Sequence, residues 1–257
     1  MRSLADRRTR RSEGAFVVEG VQPVWRAIEA GWDVQTLLVV PTRLPDSAAG
    51  MVAQQRAAGT RVAELAEQLA ARLAYRDTPP GLLAVVSARA TSLDELPVTP
   101  GSVYVALSEV GNPGNLGTVI RTADAVGAAA VILVGNTADQ YAPAAVKASM
   151  GSLFALPVAR ARDADALFHW TGAAGVHVVA TSGYAEQDHW SGPYATPVAV
   201  LLGSEGDGLP PEQIDRADRV VRIPMVGTAE SLNLAVAAAL MLYEVRRPPP
   251  GGRLRPS

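Results

Sequence analysis

From residue 103 onward, short apolar runs alternate with segments of helical periodicity, and this alternation constrains the fold more than any other feature. The runs are Val103–Leu107, Ala130–Val134, Val176–Ala180, Val198–Leu202 and Arg219–Ile223. The helical segments are Leu116–Val126, Ala144–Met150, Ala164–Trp170 and Leu232–Val245. Continuous β-branched runs suit parallel strands that are covered on both faces. The pattern therefore predicts an α/β fold with a mainly parallel, doubly wound sheet.

A smaller α/β unit precedes this sheet. Its strand-like runs are Phe16–Val18, Thr36–Val40 and Leu82–Val86, and its helical patterns are Val21–Ala30, Ser47–Ala58 and Ala63–Ala74. The stretch after it is rich in Ser, Thr and Pro and has few core-forming residues, which indicates a linker. We therefore expect a first domain over residues 1–90, a linker over 91–101, a second domain over 102–247 and a mobile tail over 248–257.

The composition excludes several classes of site. The 257 residues include no cysteine, so disulfides, thiolate metal sites and cysteine nucleophiles are ruled out. The three histidines lack the spacing of metal ligands, and we expect no metal. The apolar stretch Leu234–Tyr243 is about half the length of the roughly 20 residues that span a membrane. No apolar run follows the arginine-rich start, so we expect a cytoplasmic protein.

The charge of the chain is unevenly distributed. The formal net charge of −2 argues, taken alone, against a nucleic-acid partner. However, five arginines lie within the first eleven residues, where they form a basic arm. Such an arm gives a locally positive patch on a nearly neutral body.

The loops after the strands are where ligands of such sheets bind. In the first loop, glycines and a proline form a tight turn before a helix that Asn115 could cap. Arg121 lies six residues further on, and by itself it would be read as part of a solvated helix face. The turn matches neither the phosphate-loop nor the dinucleotide-binding pattern, so both readings are weak.

Two later loops carry further candidates. Gly203, Gly206 and Gly208 permit either close approach of a ligand or merely a sharp turn, and Glu205 is either an acid/base group or part of a surface turn. The adjacency of Gly203 and the following serine excludes the nucleophile elbow of serine hydrolases. In the third loop, Ser231 and Asn233 precede an Ala-rich helix, a pattern typical of a helix cap and a close packing face.

Taken in order, the three loops resemble the SpoU (TrmH-like) RNA ribose 2′-O-methyltransferases of the SPOUT superfamily. The matching stretches are Asn-Pro-Gly-Asn-Leu-Gly-Thr-Val-Ile-Arg at 112–121, Leu-Gly-Ser-Glu-Gly-Asp-Gly-Leu at 202–209 and Ile-Pro-Met-Val-Gly-Thr-Ala-Glu-Ser-Leu-Asn at 223–233. More loosely, the first domain resembles the family's ribosomal-protein L30e-like substrate-binding domain.

This resemblance implies a deep trefoil knot, a homodimer, S-adenosylmethionine as methyl donor and a structured RNA as substrate, with rRNA favoured over tRNA. It implies that the catalytic residues are Arg121, Asn115, Glu205, Ser231 and Asn233. It implies that the donor is bound by Thr181, Ser182, Leu202, Gly203, Ser204, Gly208, Ile223, Met225, Ser231, Leu232 and Ala237. The residues expected to bind RNA are Arg7, Arg8, Arg10, Arg11 and Arg121. Arg121 acts either as the base for the 2′-hydroxyl or as a clamp on the phosphate and the alkoxide.

Two alternatives remain open at this point. One is an RNA-binding paralogue that has lost turnover, and the other is a SPOUT enzyme that methylates tRNA or a base nitrogen. The presence of every motif residue argues against the first. The Asn…Arg and Ser-Leu-Asn patterns argue against methylation of a base nitrogen. The sequence does not identify the target nucleotide. It also does not distinguish a housekeeping role from a role in antibiotic resistance.

Overall fold

Strands and helices alternate along residues 2–73 and 80–248, which this computed structural model describes. The strands are β1 (Ala15–Glu19), β2 (Val34–Val39), β3 (Arg61–Glu64), β4 (Leu82–Ser87), β5 (Val103–Ser108), β6 (Ala130–Val134), β7 (Val158–Ala161), β8 (His177–Thr181), β9 (Gln187–Asp188), β10 (Val198–Leu202) and β11 (Arg219–Arg222). The helices are α1 (Arg7–Glu13), α2 (Val21–Glu29), α3 (Asp46–Ala57), α4 (Glu67–Leu73), α5 (Pro113–Ala125), α6 (Pro143–Ser149), α7 (Ala164–Ala174), α8 (Pro211–Ile214) and α9 (Leu234–Val245).

The chain divides into two compact units. The first comprises residues 1–89 and 139–155, and the second comprises residues 90–138 and 156–257. The stretch 139–155, which carries α6, thus belongs with the N-terminal residues although it lies far along the chain. The stretch 91–101 is part of the second unit, where Thr91 forms a parallel bridge to Ala159. The expected mobile tail lies, beyond residue 248, outside the described residues.

The second unit is built on a seven-stranded sheet in the order β7-β6-β5-β10-β8-β11-β9. Every pair of neighbouring strands in it is parallel. All residues of β5, β6 and β10 are buried, so both faces of the sheet centre are covered. This confirms the predicted parallel α/β sheet, whereas the trefoil knot stays a prediction. The short strands β7 and β9 were not predicted.

The first unit has a four-stranded sheet in the order β1-β4-β2-β3. β4 runs antiparallel to both β1 and β2, and β3 runs parallel to β2. The helix expected over residues 63–74 was wrong in its first part, because Ala63 lies within β3 and pairs with Leu38. Pairing with an existing strand outweighs local helix propensity there.

The arginine-rich start of the chain folds into a short helix. Asp6 caps α1 by accepting a hydrogen bond from the backbone of Thr9 at 2.9 Å, and Gly14 ends the helix in the left-handed conformation. Just before it, Leu4 is buried against Val17 and other apolar residues of the first sheet. The basic arm of the sequence is therefore anchored by the buried Leu4 before α1 and by the caps Asp6 and Gly14 at the two ends of α1. No described helix has the length and apolarity needed to cross a membrane.

Candidate active site

The loops that follow β5, β10 and β11 leave the same edge of the second unit's sheet. β5 and β10 are parallel neighbours in which Leu107 pairs with Leu202, so the loops after these residues start side by side. β11 pairs with β8, which in turn pairs with β10, and all three run in the same direction. The three loops singled out in the sequence therefore lie together at the carboxyl edge of the sheet, where ligands of such sheets bind.

Asn112, and not Asn115, caps helix α5. The side-chain oxygen of Asn112 accepts hydrogen bonds from the backbone N–H groups of Gly114 at 2.8 Å and Asn115 at 3.3 Å. Pro113 occupies the first helical position, where its missing N–H group leaves no bond unmade. The expectation that Asn115 caps this helix is therefore wrong. Its side chain is left for contacts across the site.

Three of the predicted catalytic side chains form one hydrogen-bonded chain. The Asn115 amide nitrogen donates to Glu205 Oε1 at 3.0 Å, and the Asn233 amide nitrogen donates to Asn115 Oδ1 at 3.0 Å. Asn233 Oδ1 in turn accepts from the backbone N–H of Ala235 at 2.9 Å, which caps α9. Each loop contributes one residue, and each amide is fixed in orientation by its partners.

Glu205 is held in its ionised form. Burial raises its pKa, but hydrogen bonds from the Asn115 side chain and from the backbone of Gly111 and Asn112 lower the pKa by more, so that it lies below its ordinary value. The backbone bonds measure 3.2 Å from Gly111 and 3.3 Å from Asn112. A carboxylate that only accepts hydrogen bonds orients its neighbours and does not act as an acid at neutral pH.

A cavity of about 820 Å³ opens beside this hydrogen-bonded chain. Every residue expected to bind the methyl donor lines it: Thr181, Ser182, Leu202, Gly203, Ser204, Gly208, Ile223, Met225, Ser231, Leu232 and Ala237. Glu205 and Asn233 line it as well. Its volume lies in the range of about 300–1,000 Å³ that is usual for small-molecule sites. Apolar side chains and glycine backbone together give walls that suit a purine ring.

The glycine turn after β10 is closed on itself. The backbones of Ser204 and Gly208 exchange hydrogen bonds of 3.1 and 3.2 Å. A Cβ atom at Gly203 would lie 2.1 Å from the carbonyl carbon of Gly208, and Gly208 has φ of +70°. Only glycine fits at position 203, because the turn brings backbone against backbone. The sequence allowed two roles for these glycines, close approach of a ligand or a sharp turn. The sharp turn is present, and it forms part of the cavity wall.

The sequence analysis missed several residues of the cavity wall. These are Gly183, Arg222, Pro224, Val226, Glu230 and Leu234, whereas Gly206, which also lines the cavity, was noted among the turn glycines. Arg222 ends β11 and pairs with Asp188 at 2.8 Å. Its place near the carboxyl end of the predicted strand Arg219–Ile223 was the available signal. Asp207, the other carboxylate of the glycine turn, does not line the cavity.

Arg121 does not line the cavity. It is exposed on α5, and its guanidinium has no hydrogen-bond or ion-pair partner within residues 2–73 and 80–248. Ser231 does line the cavity. The structure therefore brings together Asn115, Glu205, Ser231 and Asn233 around one edge and leaves Arg121 facing solvent.

The arginines expected to bind RNA differ in their surroundings. Arg8 and Arg11 are exposed and Arg7 is half-buried. Arg10 is only 5% exposed and is paired with Asp139 at 2.7 Å. The enclosed guanidinium and the neutralised charge of Arg10 argue against the expected contact of this residue with RNA. Within the described part of the chain, no group of His, Asp or Glu residues could hold a metal ion.

Two family models match the chain. The model of the SpoU rRNA Methylase family matches residues 102–243, and that of the MRM3-like substrate binding domain matches residues 1–84. The first match contains all three loops of the cavity edge. The second contains β1 to β3 and α1 to α4 and ends within β4.

Curated proteins and solved structures are similar along nearly the whole chain. A 23S rRNA (uridine(2479)-2′-O)-methyltransferase of Streptomyces viridochromogenes is 36% identical over 97% of this chain and 88% of that protein. A 23S rRNA (guanosine(2553)-2′-O)-methyltransferase of Bacillus subtilis is 30% identical over 95% of this chain and 94% of that protein. The AdoMet-bound rRNA methyltransferase of Sinorhizobium meliloti is 40% identical over 96% and 92% of the two chains, with a TM-score of 0.88. The chain therefore belongs to the SpoU rRNA methylase family.

Proposed function

We propose that this protein transfers a methyl group from S-adenosylmethionine to a ribose 2′-hydroxyl of 23S rRNA. The observation that carries this proposal is the hydrogen-bonded chain Glu205–Asn115–Asn233 at the rim of a cavity that is lined by the expected donor-binding residues. Similarity to 23S rRNA 2′-O-methyltransferases along most of the chain supports the same reaction and substrate. Such a substrate places the enzyme in the cytoplasm.

The cavity residues fit the methyl donor. The apolar side chains of Leu202, Ile223 and Leu232 would enclose an adenine ring, and backbone groups of the Gly203 turn would meet its polar edge. When bound, S-adenosylmethionine supplies a methyl group made electrophilic by its sulfonium. The carboxylates of Glu205 and Glu230 lie along the same wall and favour a ligand that carries positive charge.

The chain's own residues must position the ribose and stabilise the charge that develops on its 2′-oxygen. The fixed amides of Asn115 and Asn233 and the hydroxyl of Ser231 are available to orient the ribose. The Arg121 guanidinium has no partner in the described part of the chain, and guanidinium groups stay protonated in proteins. We therefore assign Arg121 to clamping the adjacent phosphate and stabilising the negative charge that develops on the 2′-oxygen, while the 2′-hydroxyl proton passes to water and S-adenosylhomocysteine is the second product.

We infer a division of labour between the two parts of the sequence. Residues 1–90 bind the RNA, with Arg7, Arg8 and Arg11 facing phosphates, and residues 102–247 carry the reaction after the link at 91–101. The match of the substrate-binding model to residues 1–84 supports this division. The relatives named above act on a uridine and a guanosine, so the target base of this enzyme has to be mapped directly.

We also infer that the active enzyme is a homodimer. Helix α9 presents Val236, Leu240 and Tyr243 at positions i, i+4 and i+7, and these side chains are 48%, 41% and 53% exposed. Val226, at the neighbouring cavity rim, is fully exposed. An apolar stripe of this kind on a helix is typical of an interface, and a second copy of the chain is the occupant that the family resemblance implies.

The test is methylation of a full 23S rRNA transcript with tritium-labelled S-adenosylmethionine, followed by nuclease digestion and mass spectrometry. The expected product is a single 2′-O-methylated nucleoside, with no label in the Arg121→Ala variant. A methyl group on a base, or label in tRNA alone, would contradict the proposal. Absence of transfer despite donor binding by calorimetry would favour a paralogue without turnover.

A further inference from the structure

The first unit holds a buried ion pair that the reaction itself does not use. Arg10 lies in α1, and its Nε and Nη2 atoms donate to Asp139 Oδ2 at 2.9 and 2.7 Å. The two side chains are only 5% and 11% exposed. A pair so enclosed is costly to break, because removing one partner leaves the other charge buried without compensation.

Every nitrogen of the Arg10 guanidinium is occupied within the first unit. Nη1 donates to the carbonyl oxygens of Leu4 at 2.8 Å and Ala5 at 2.6 Å. On the other side, Asp139 Oδ1 accepts from the backbone N–H of Tyr141 at 3.0 Å. Arg10 thus binds the turn before α1 and the segment that begins at Asp139, and at 5% exposure its guanidinium is enclosed away from any phosphate.

Helix α1 needs such support to be ordered. It is seven residues long, and isolated helices shorter than about 12–15 residues are marginal in water. Its attachments include the Arg10 contacts, the buried Leu4 that precedes it and the Asp6 cap. Of these, the Arg10–Asp139 pair alone ties α1 to a residue more than a hundred positions later in the chain.

The ordered helix presents two unpaired arginines together. Arg8 and Arg11 are exposed, and neither side chain has a hydrogen-bond or ion-pair partner in the part of the chain that the structure describes. Their spacing of i and i+3 places them side by side on one helix face. Two guanidinium groups held in this way match successive phosphates of a nucleic-acid strand.

We propose that Arg10 and Asp139 form a positioning pair that orders α1 in the free protein, so that Arg8 and Arg11 meet RNA phosphates without a further loss of conformational entropy. This proposal rests on the proposed function in one respect, which is that the partner is RNA. The same contacts then have a physical consequence for binding, because a site that is ordered beforehand binds more tightly than one that must be ordered by its ligand.

The variant Asp139→Asn gives a test in which simple charge effects and the proposal predict opposite signs. Removing a carboxylate from a protein that binds RNA strengthens binding by long-range electrostatics. The proposal instead predicts that Asp139→Asn weakens binding of a 23S rRNA transcript by about tenfold, the scale of re-ordering two arginine side chains. Asp46→Asn, an exposed acid on α3 of the same unit, removes the same charge and should leave binding unchanged or tighter.

A double-mutant cycle separates positioning from general destabilisation. In an Arg8→Gln/Arg11→Gln background, Asp139→Asn should have little further effect on RNA affinity, because the pair acts through those two side chains. Trypsin should cleave within α1 faster in Asp139→Asn than in the wild type or in Asp46→Asn, at a temperature where all three are folded. Arg8→Gln/Arg11→Gln itself should reduce the slope of log affinity against log salt by about two.

The results that would overturn the proposal are distinct from those that would overturn the function. If wild-type protein fails to bind the transcript, the proposed substrate is wrong and the positioning role falls with it. If the wild type binds but Asp139→Asn binds as tightly as Asp46→Asn, only the positioning role is wrong. The same holds if Asp139→Asn loses equal affinity with and without Arg8 and Arg11.

Discussion

At the scale of single residues, the site depends on which partner each polar side chain has. Asn112 takes the cap of α5, and this leaves the amide of Asn115 to join Glu205 to Asn233. Pro113 explains the choice, because the residue before a proline is held in extended backbone, as a cap requires, and proline is favoured at the first helical position. This detail was present in the sequence and could have been predicted from it.

The exposed guanidinium of Arg121 gives the first prediction. Arg121→Lys should lower methyl transfer by at least about a hundredfold, since a lysine keeps the charge but loses the planar fork that grips phosphate and alkoxide oxygens. Because the side chain has no partner among residues 2–73 and 80–248, the free energy of unfolding should change by less than about 0.5 kcal/mol. Tritium incorporation and thermal unfolding measure the two effects. A variant that transfers normally would remove Arg121 from the mechanism.

The ionisation of Glu205 gives a prediction about pH. Its pKa is lowered in the folded protein, so its contribution to stability is present above the unfolded pKa of about 4.3 and is lost as pH falls through the folded pKa. Glu205→Gln should therefore reduce the unfolding free energy at pH 7, by no more than about 1 kcal/mol for so exposed a group. The difference between wild type and variant should shrink below about pH 4.3. Denaturant unfolding at a series of pH values measures it, and a constant difference would contradict the assignment.

At the scale of elements, the strands that could be predicted from the sequence are those with long and continuous apolar runs. β5, β6 and β10 are buried on both faces, and their apolar runs were located within one residue. β3 could not be found, because Arg61–Glu64 continues into a helical pattern and becomes a strand only by pairing with β2. β9, with two residues, exists only through its pairing with β11. Short elements of this kind depend on tertiary neighbours that local sequence does not encode.

The closed turn after β10 gives a prediction with a second glycine as its control. Gly203→Ala places a Cβ atom 2.1 Å from the Gly208 carbonyl carbon, so the turn must open. We expect loss of donor binding by more than about tenfold and destabilisation of about 1–3 kcal/mol. Gly172→Ala, on α7 and outside the cavity wall, places a Cβ atom with nothing within 4 Å and should lower neither. Calorimetry with S-adenosylmethionine measures the affinity, and equal behaviour of the two variants would contradict a role for backbone closure.

At the scale of the whole molecule, the average charge of −2 says little about the partner. The arginine-rich start divides into exposed Arg8 and Arg11 and buried Arg10, and composition cannot distinguish them. The reason is that the partner of Arg10 lies at Asp139, in a stretch that belongs to the first unit although the methylase family model matches it. Contacts of such sequence separation require the fold.

Assembly gives the last prediction. The apolar stripe of α9 should be covered by a second copy of the chain, so Leu240→Glu, which puts a charge at the centre of the stripe, should convert a dimer into a monomer. Light scattering after gel filtration measures the mass. Leu69→Glu is the matched control, because Leu69 is a comparably exposed leucine on α4 of the first unit, and it should leave the mass unchanged. The stripe lies on the helix that Asn233 caps at the cavity rim, so we expect the monomeric variant to lose methyl transfer as well. Wild-type protein that runs as a monomer, or a dimer that survives Leu240→Glu, would show that α9 is not the interface.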